Sequence, residues 1–179
     1  MTQRSIHIQK LVIAAVCLAL CLVLPFLTGQ IPEVGSMLCP MHIPALLCGF
    51  FCGWPWGLAV GFIAPILRSL TFGMPPMFPV AICMAFELAV YGLAAGVFYK
   101  LFPRKKGYTY AALILAMILG RIVWGAAMFL CVGVGGGFTL AAFFAGAITN
   151  AIPGILLQIV LIPVLVMILD NPKILKLNN

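Results

Sequence analysis

The chain has 179 residues, of which 65% are hydrophobic and 7% are charged, and its mean hydropathy is +1.24. A soluble domain of this size needs far more charge on its surface, so the composition excludes a soluble protein and indicates a polytopic membrane protein. The excess of Lys and Arg over acidic residues fits membrane orientation rather than nucleic-acid binding, because of where these residues lie. We predict an all-α fold in which residues 1–179 form a single six-helix transmembrane domain.

Helix 1 is predicted from about Lys10 to Thr28. A basic start followed by an apolar run is also typical of a signal peptide, but no small-residue cleavage site precedes Pro25, so we interpret the run as a retained helix. Ala15 and Ala19 place small residues on one face, a pattern that serves close contact within the chain or with a partner. The polar segment Gly29–Ser36 is predicted to be an exterior loop.

The next apolar stretch is interrupted by prolines and glycines. Its uninterrupted part, Ile43–Gly53, would rise only about 16 Å as a helix, so helix 2 is either short or unwound over its first half. Trp54–Trp56 is predicted to be an interfacial turn, and helix 3 follows over Gly57–Phe72. Irregular backbone at membrane depth is tolerated only when protein buries it or when it lines a cavity, so this stretch favours a site over a plain anchor.

Three further helices complete the prediction. Helix 4 covers Val80–Phe102, helix 5 covers Tyr108–Val132, and helix 6 covers Thr139–Leu169 with possible kinks at its prolines. A glycine-rich outer loop, Gly133–Gly137, joins helices 5 and 6, and a basic turn joins helices 4 and 5. Helices 3 and 4 carry glycines at four-residue spacing, which lets helices approach closely. These are Gly57 and Gly61, then Gly92 and Gly96, with Gly49 and Gly53 continuing the spacing into helix 2.

The basic residues predict the orientation of the six helices. With the N-terminus inside, both termini are cytoplasmic, and the three exterior loops carry no Lys or Arg, as the positive-inside rule expects. The basic residues gathered on the cytoplasmic side are Arg4, Lys10, Lys100, Arg104, Lys105, Lys106, Lys173 and Lys176. Four spans remain an alternative if helices 2 and 3 form a re-entrant hairpin.

Three charged residues lie within predicted spans: Arg68, Glu87 and Arg121. At about 1.5 Å per residue, all three fall in the outer half of the bilayer at similar depth. Each would cost several kcal/mol if it were unpaired in hydrocarbon. They could form a buried ion-pair network that fixes helix packing. Since one acid cannot neutralise two guanidinium groups, the spare arginine could instead receive an anionic ligand, with carboxylate or phosphate geometry.

Four other residues are candidates for the same site, each with a structural alternative. Asn150 lies at a similar depth, although an Asn in a membrane helix more often bonds another helix. His42 lies at the mouth of the broken helix 2, where it could simply be an interfacial histidine. Tyr91 and Trp124 lie one turn from Glu87 and Arg121, and they could serve packing or wall an apolar cavity.

No constellation for catalysis or for a cofactor is present. The sequence has no HExxH, no GxSxG and no paired aspartates, so we expect no catalytic residues, no cofactor and no enzyme activity. Cys48 and Cys52 share a helix face and Cys39 lies near His42, but buried small side chains explain these cysteines better than a metal site does. The chain also lacks a channel filter and the matching halves of a self-sufficient transporter.

The residues described so far resemble the substrate-binding S-components of energy-coupling factor (ECF) vitamin transporters. The resemblance lies in the chain length, the six helices, the AxxxA of Ala15 and Ala19, and the segment MHIPALLCGFFCGWPWGLAVGFIAPILRSLTFG. It implies a subunit of the bacterial plasma membrane that captures a vitamin or related micronutrient from outside. It also implies association with a transmembrane coupling subunit and two cytoplasmic ATPases, the coupling subunit contacting helix 1 at Ala15 and Ala19.

The resemblance leaves the vitamin open. The MHIP sequence is most similar to pantothenate-type S-components, and an anionic vitamin would suit a spare arginine. Riboflavin, folate, pyridoxine and queuosine-precursor relatives remain possible. A hypothesis of a different class is a structural or assembly membrane protein, in which the charged residues serve packing only.

Overall fold

The structure, a computed structural model, describes residues 3–28, 37–103, 105–133, 139–146 and 150–169. Across these ranges the chain forms helices and no strands, which confirms the all-α prediction. Five of the described helices are long and apolar enough to cross a membrane, and a shorter apolar helix lies between the first two of them. The helices are α1 (Gln3–Val23), α2 (His42–Cys52), α3 (Trp54–Phe72), α4 (Ile82–Leu101), α5 (Lys106–Val132), α6 (Leu140–Phe144) and α7 (Ile152–Leu169).

Two helix starts differ from the sequence-based prediction. Helix α1 begins at Gln3 rather than Lys10, because residues 3–9 contain no glycine or proline and a helix need not stop where the apolar run begins. Helix α3 begins at Trp54, so the prediction of a turn over Trp54–Trp56 is wrong. Pro55 fits the first turn of a helix, where its missing N–H leaves no hydrogen bond unmade.

The prediction of one long helix 6 is also wrong. Helix α6 ends at Phe144, and α7 begins at Ile152 after a turn at Asn150 and Ala151. Pro153 stands in the first turn of α7, where a proline starts a helix more readily than it continues one. Pro163, the other predicted kink, lies inside α7, which continues through it. The predicted exterior loop 29–36, most of the glycine-rich loop (134–137), Arg104 and the tail 170–179 lie outside the described residues.

The short helix α2 lies at the centre of the described helices. All of its residues but Leu47 are buried. It packs against α1, α3, α4 and α7. Gly53, with φ of +91°, separates it from α3 by a single residue, a backbone conformation that favours glycine. The prediction of a short helix 2 is therefore confirmed, with its N-terminus at His42.

Glycines set how closely α2, α3 and α4 approach. A Cβ added at Gly92 would lie 2.2 Å from the carbonyl oxygen of Gly57, and one added at Gly49 would lie 2.3 Å from that of Gly92. At Gly61 the added atom would lie 2.2 Å from the carbonyl oxygen of Leu88. Backbone meets backbone at each place, so no side chain can move away to make room. This is the close approach that the four-residue spacing predicted.

We expect Gly92→Ala to destabilise the protein because its methyl group would overlap the backbone of α3. Overpacking of this kind costs about 1–3 kcal/mol, which exceeds the roughly 1 kcal/mol that alanine gains over glycine inside a helix. Gly107→Ala is the matched control, since Gly107 is also helical and nothing lies within 4 Å of the added atom. Thermal unfolding in one detergent compares the two. Equal melting temperatures for both variants would contradict this packing.

Candidate functional site

Glu87 is the centre of a buried polar cluster between α2, α4 and α5. Its side chain is 1% exposed, and its Oε1 lies 3.0 Å from Nη1 of Arg121 and 3.3 Å from Nε2 of His42. The hydroxyl of Tyr91 hydrogen-bonds to the same carboxylate. The rings of Tyr91 and His42 meet edge to face, with their centroids 5.2 Å apart. Four of the residues predicted from the sequence therefore meet in one place.

The backbone around each member explains why they converge. Glu87 and Tyr91 are four residues apart and lie on one face of α4. His42 opens α2, and the chain turns towards it through Cys39, whose φ is +48° and whose carbonyl accepts a hydrogen bond from the His42 N–H over 3.1 Å. Gly120 leaves room for the Tyr91 ring, because a Cβ there would lie 2.2 Å from a ring carbon. The phenol is thus held beside Arg121.

Two nitrogen atoms of the cluster have unused hydrogen-bonding capacity. Nδ1 of His42 and Nε of Arg121 are buried and have no hydrogen-bond partner among the residues that the structure describes. The contacts of His42 Nε2 and Glu87 Oε1 are close in distance but not aligned as hydrogen bonds. A buried polar group without a partner costs about 1–3 kcal/mol, so such groups are usually completed by water or a ligand.

Glu87 supplies the negative charge that balances Arg121. Cys39 does not supply a further negative charge: burial raises the pKa of its thiol, although the nearby Arg121 acts in the opposite direction. Its sulfur accepts from Nη2 of Arg121 over 3.5 Å.

Arg68 lies outside this cluster. Its side chain is buried, and Nη1 donates to the carbonyl oxygen of Leu22, near the end of α1. The guanidinium also lies over two aromatic rings, 4.9 Å from the centroid of Phe26 and 5.3 Å from that of Phe72. Leu22 lies in the last turn of α1, directly before the 3-10 segment Leu24–Thr28. Arg68 therefore joins the C-terminal end of α1 to α3, without a carboxylate partner among the described residues.

The two remaining predicted contacts lie at the edge of the site or beyond it. The indole of Trp124 stacks on Phe143 of α6, with centroids 6.2 Å apart. Asn150 is exposed in the turn before α7, and its backbone N–H donates to the carbonyl of Ala145. The structure does not bring the Asn150 side chain to Glu87.

A cavity adjoins the cluster between α4, α5 and α7. Its volume is ≈ 300 Å³, at the lower end of the range for small-molecule pockets. Tyr91 and Arg121 are among its lining residues. The rest of the described lining is apolar and consists of Ile114, Met117, Ile118, Ile122, Phe143, Ile155 and Ile159. Arg121 is therefore the arginine that this cavity places beside a small molecule.

Sequence reasoning could not have found most of this lining. Isoleucines on α5 and α7 look like any lipid-facing residues until the gap between the helices is known. Nothing in the sequence marks Phe143 as a cavity residue, because the prediction has it inside one continuous helix 6. Cys39 was noted only as a neighbour of His42. The small residue Gly120, directly before Arg121, was the one local signal of close approach beside the arginine.

The cysteines on α1 and α2 lie against one another. Cys48 hydrogen-bonds with both Cys17 and Cys52, and Cys21 donates to the carbonyl oxygen of Met41 over 3.4 Å. All four are buried. Within the described ranges, no group of three or more His, Cys, Asp or Glu residues is arranged to hold a metal ion.

Comparison with known proteins decides the family. The model of the family described as "ECF transporter, substrate-specific component" matches residues 9–166. The chain belongs to this family. It is a multi-pass membrane protein and a substrate-binding component of transport, not an enzyme. No curated protein and no solved structure matches the chain significantly.

We expect Glu87→Gln to destabilise this S-component strongly, because it leaves the buried Arg121 without its counter-charge. Breaking one partner of a buried ion pair typically costs about 3–5 kcal/mol. The double variant Glu87→Gln with Arg121→Gln should lose less than the sum of the two single changes, by about 1 kcal/mol or more. Chemical unfolding of the four proteins in one detergent gives this coupling. Strict additivity would contradict the pairing.

Proposed function

We propose that this S-component captures a small anionic vitamin or related micronutrient from outside the cell and delivers it for ATP-driven uptake. The observation that carries the proposal is the buried Arg121, which is among the lining residues of a cavity of ligand size and whose Nε has no hydrogen-bond partner among the described residues. A guanidinium N–H without a partner can donate a charge-assisted hydrogen bond to a carboxylate oxygen. Pantothenate is the first compound to test, since the MHIP sequence resembles that of pantothenate-type relatives.

We propose six spans, with both termini on the cytoplasmic side of a bacterial plasma membrane. The distribution of Lys and Arg supports this orientation. The α2 helix then counts as a short span whose ends are buried by its neighbours, so its length need not match the bilayer. In this orientation the Glu87 cluster lies in the outer half of the membrane, where an external ligand can reach it.

We further propose that α1 docks on the transmembrane coupling subunit of an ECF module with two cytoplasmic ATPases. Ala15 and Ala19 support this because both lie on the exposed side of α1. Ala14 and Cys17, which face the core, are buried. Two exposed alanines four residues apart allow a partner helix to approach closely.

One experiment tests ligand capture and docking together. The chain is co-expressed with an ECF module, and the purified material is assayed for bound small molecule and for ATPase subunits. Arg121→Gln should weaken ligand binding by about 10- to 100-fold, the worth of a charge-assisted contact, while the complex still forms. Ala15→Trp should retain the ligand and lose the ATPases, because the indole prevents close approach.

Each variant is the control for the other, and Val16→Trp is a second control on an exposed but larger residue of α1. If the wild-type protein retains no small molecule and gains no thermal stability from any vitamin tested, the chain serves structure or assembly instead. Loss of ATPases with Arg121→Gln would contradict the separation of the two sites.

A further inference from the structure

Two cysteines meet where the last turn of α5 lies beside the first turn of α4. Cys131 is the next-to-last residue of α5, and its thiol hydrogen-bonds with that of Cys83. We propose that Cys83 and Cys131 form a reversible disulfide on the outer side of the membrane, by exchange with a water-borne disulfide. The proposal uses the membrane orientation proposed above and makes no assumption about the ligand.

The two side chains are arranged as a disulfide requires. Thiols that share a hydrogen bond are directed at each other, whereas side chains that point apart cannot be bridged without moving the backbone. Cys83, Glu87 and Tyr91 follow one another at four-residue spacing, so they lie on one face of α4. Glu87 pairs with Arg121 of α5 from this face. A bridge at Cys83 would extend the same row of contacts between α4 and α5 by one turn.

Cys131 is the accessible member of the pair. All the cysteines lie in the described ranges, and Cys131 is the one among them that is not buried. Cys83 is 0% exposed, so a reagent from solution must react first at Cys131. Cys17 and Cys48 also hydrogen-bond with each other, but both are buried and no reagent in water reaches either thiol. Access therefore distinguishes the Cys83–Cys131 pair from the other thiol contacts.

The length of α5 carries Cys131 out of the hydrocarbon. The helix has 27 residues, which at 1.5 Å per residue makes it about 40 Å long. The hydrocarbon core of a bilayer is about 30 Å thick. With the N-terminus of α5 at the cytoplasmic surface, its last turn therefore reaches the outer headgroup region, where water is present. Disulfides persist on that side of a membrane, because the systems that keep thiols reduced are cytosolic.

The exchange proceeds in two steps when oxidised glutathione is the disulfide. The Cys131 thiolate attacks one glutathione sulfur, which forms a mixed disulfide and releases one glutathione thiolate. Cys83 then gives up its proton and attacks the Cys131 sulfur, which forms the internal disulfide and releases the second glutathione thiolate. Two electrons pass from the cysteines to glutathione, and the two cysteine protons end on the two glutathione thiolates. Dithiothreitol reverses the reaction by the same exchange.

The test uses the full chain in nanodiscs, reduced, freed of reductant and then incubated with oxidised glutathione. Intact-mass spectrometry of the wild-type protein should show the loss of two hydrogen atoms and no bound glutathione, and proteolysis should give a fragment that joins Cys83 to Cys131. Cys83→Ser should stop at the mixed disulfide and keep one glutathione on Cys131. Cys131→Ser should show neither product. Cys17→Ser is the matched control, because it removes a buried thiol elsewhere and should behave as the wild type does.

The bridge should also change stability. The oxidised wild-type protein should melt about 5 °C or more above its reduced form, because the cross-link restricts the unfolded chain, and Cys83→Ser should melt at one temperature in both conditions. Glutathione that stays on Cys131 of the wild-type protein would overturn the proposal. Two thiols that remain open to alkylation after the incubation would overturn it as well, and the capture of a ligand would be unaffected by either result.

The side of the membrane is tested separately in sealed vesicles, because oxidised glutathione does not cross a bilayer. Glutathione outside right-side-out vesicles should produce the bridge. A bridge that forms only in inside-out vesicles would overturn its outer location, and the proposed orientation of the helices with it.

Discussion

The burial of one carboxylate constrains much of this structure. Glu87 is 1% exposed in the middle of a membrane protein, where an unpaired charge would cost several kcal/mol. Its partners arrive from two other helices: Arg121 from α5 and His42 from the first position of α2. The pairing therefore fixes where α2 begins and how α5 is rotated against α4. The same contacts hold Arg121 in the wall of a cavity.

Glycines make that pairing possible by bringing the helices close enough. Gly49 and Gly57 meet the backbone of α4 at Gly92, which seats α2 against α4 and brings His42 within reach of Glu87. Gly120 likewise leaves room for the ring of Tyr91 to pack against α5. Between α5 and α7 the helices do not approach closely, because bulky isoleucines lie between them. The space that remains is the cavity.

The sequence predicted the parts of this arrangement that follow from local pattern. A lone Glu and Arg within apolar spans must find partners, and the spacing of Gly49, Gly57 and Gly92 indicated close packing; both expectations agree with the geometry. The sequence could not say which arginine pairs with Glu87, because Arg68 and Arg121 lie at similar depth. The structure places Arg121 beside Glu87 and Arg68 beside the carbonyl of Leu22. The sequence predicted one continuous helix 6 because the interruption before α7 lies within an apolar run.

The central claim is that the ligand of this ECF S-component binds at Arg121, between α4, α5 and α7. An experimental structure of the wild-type protein, purified without stripping its ligand and reconstituted in lipid, tests this most directly. We predict density for one small molecule in the cavity, in contact with the Arg121 side chain. Ligand density at Arg68, or a cavity filled by lipid chains while Nε stays unpartnered, would contradict the account.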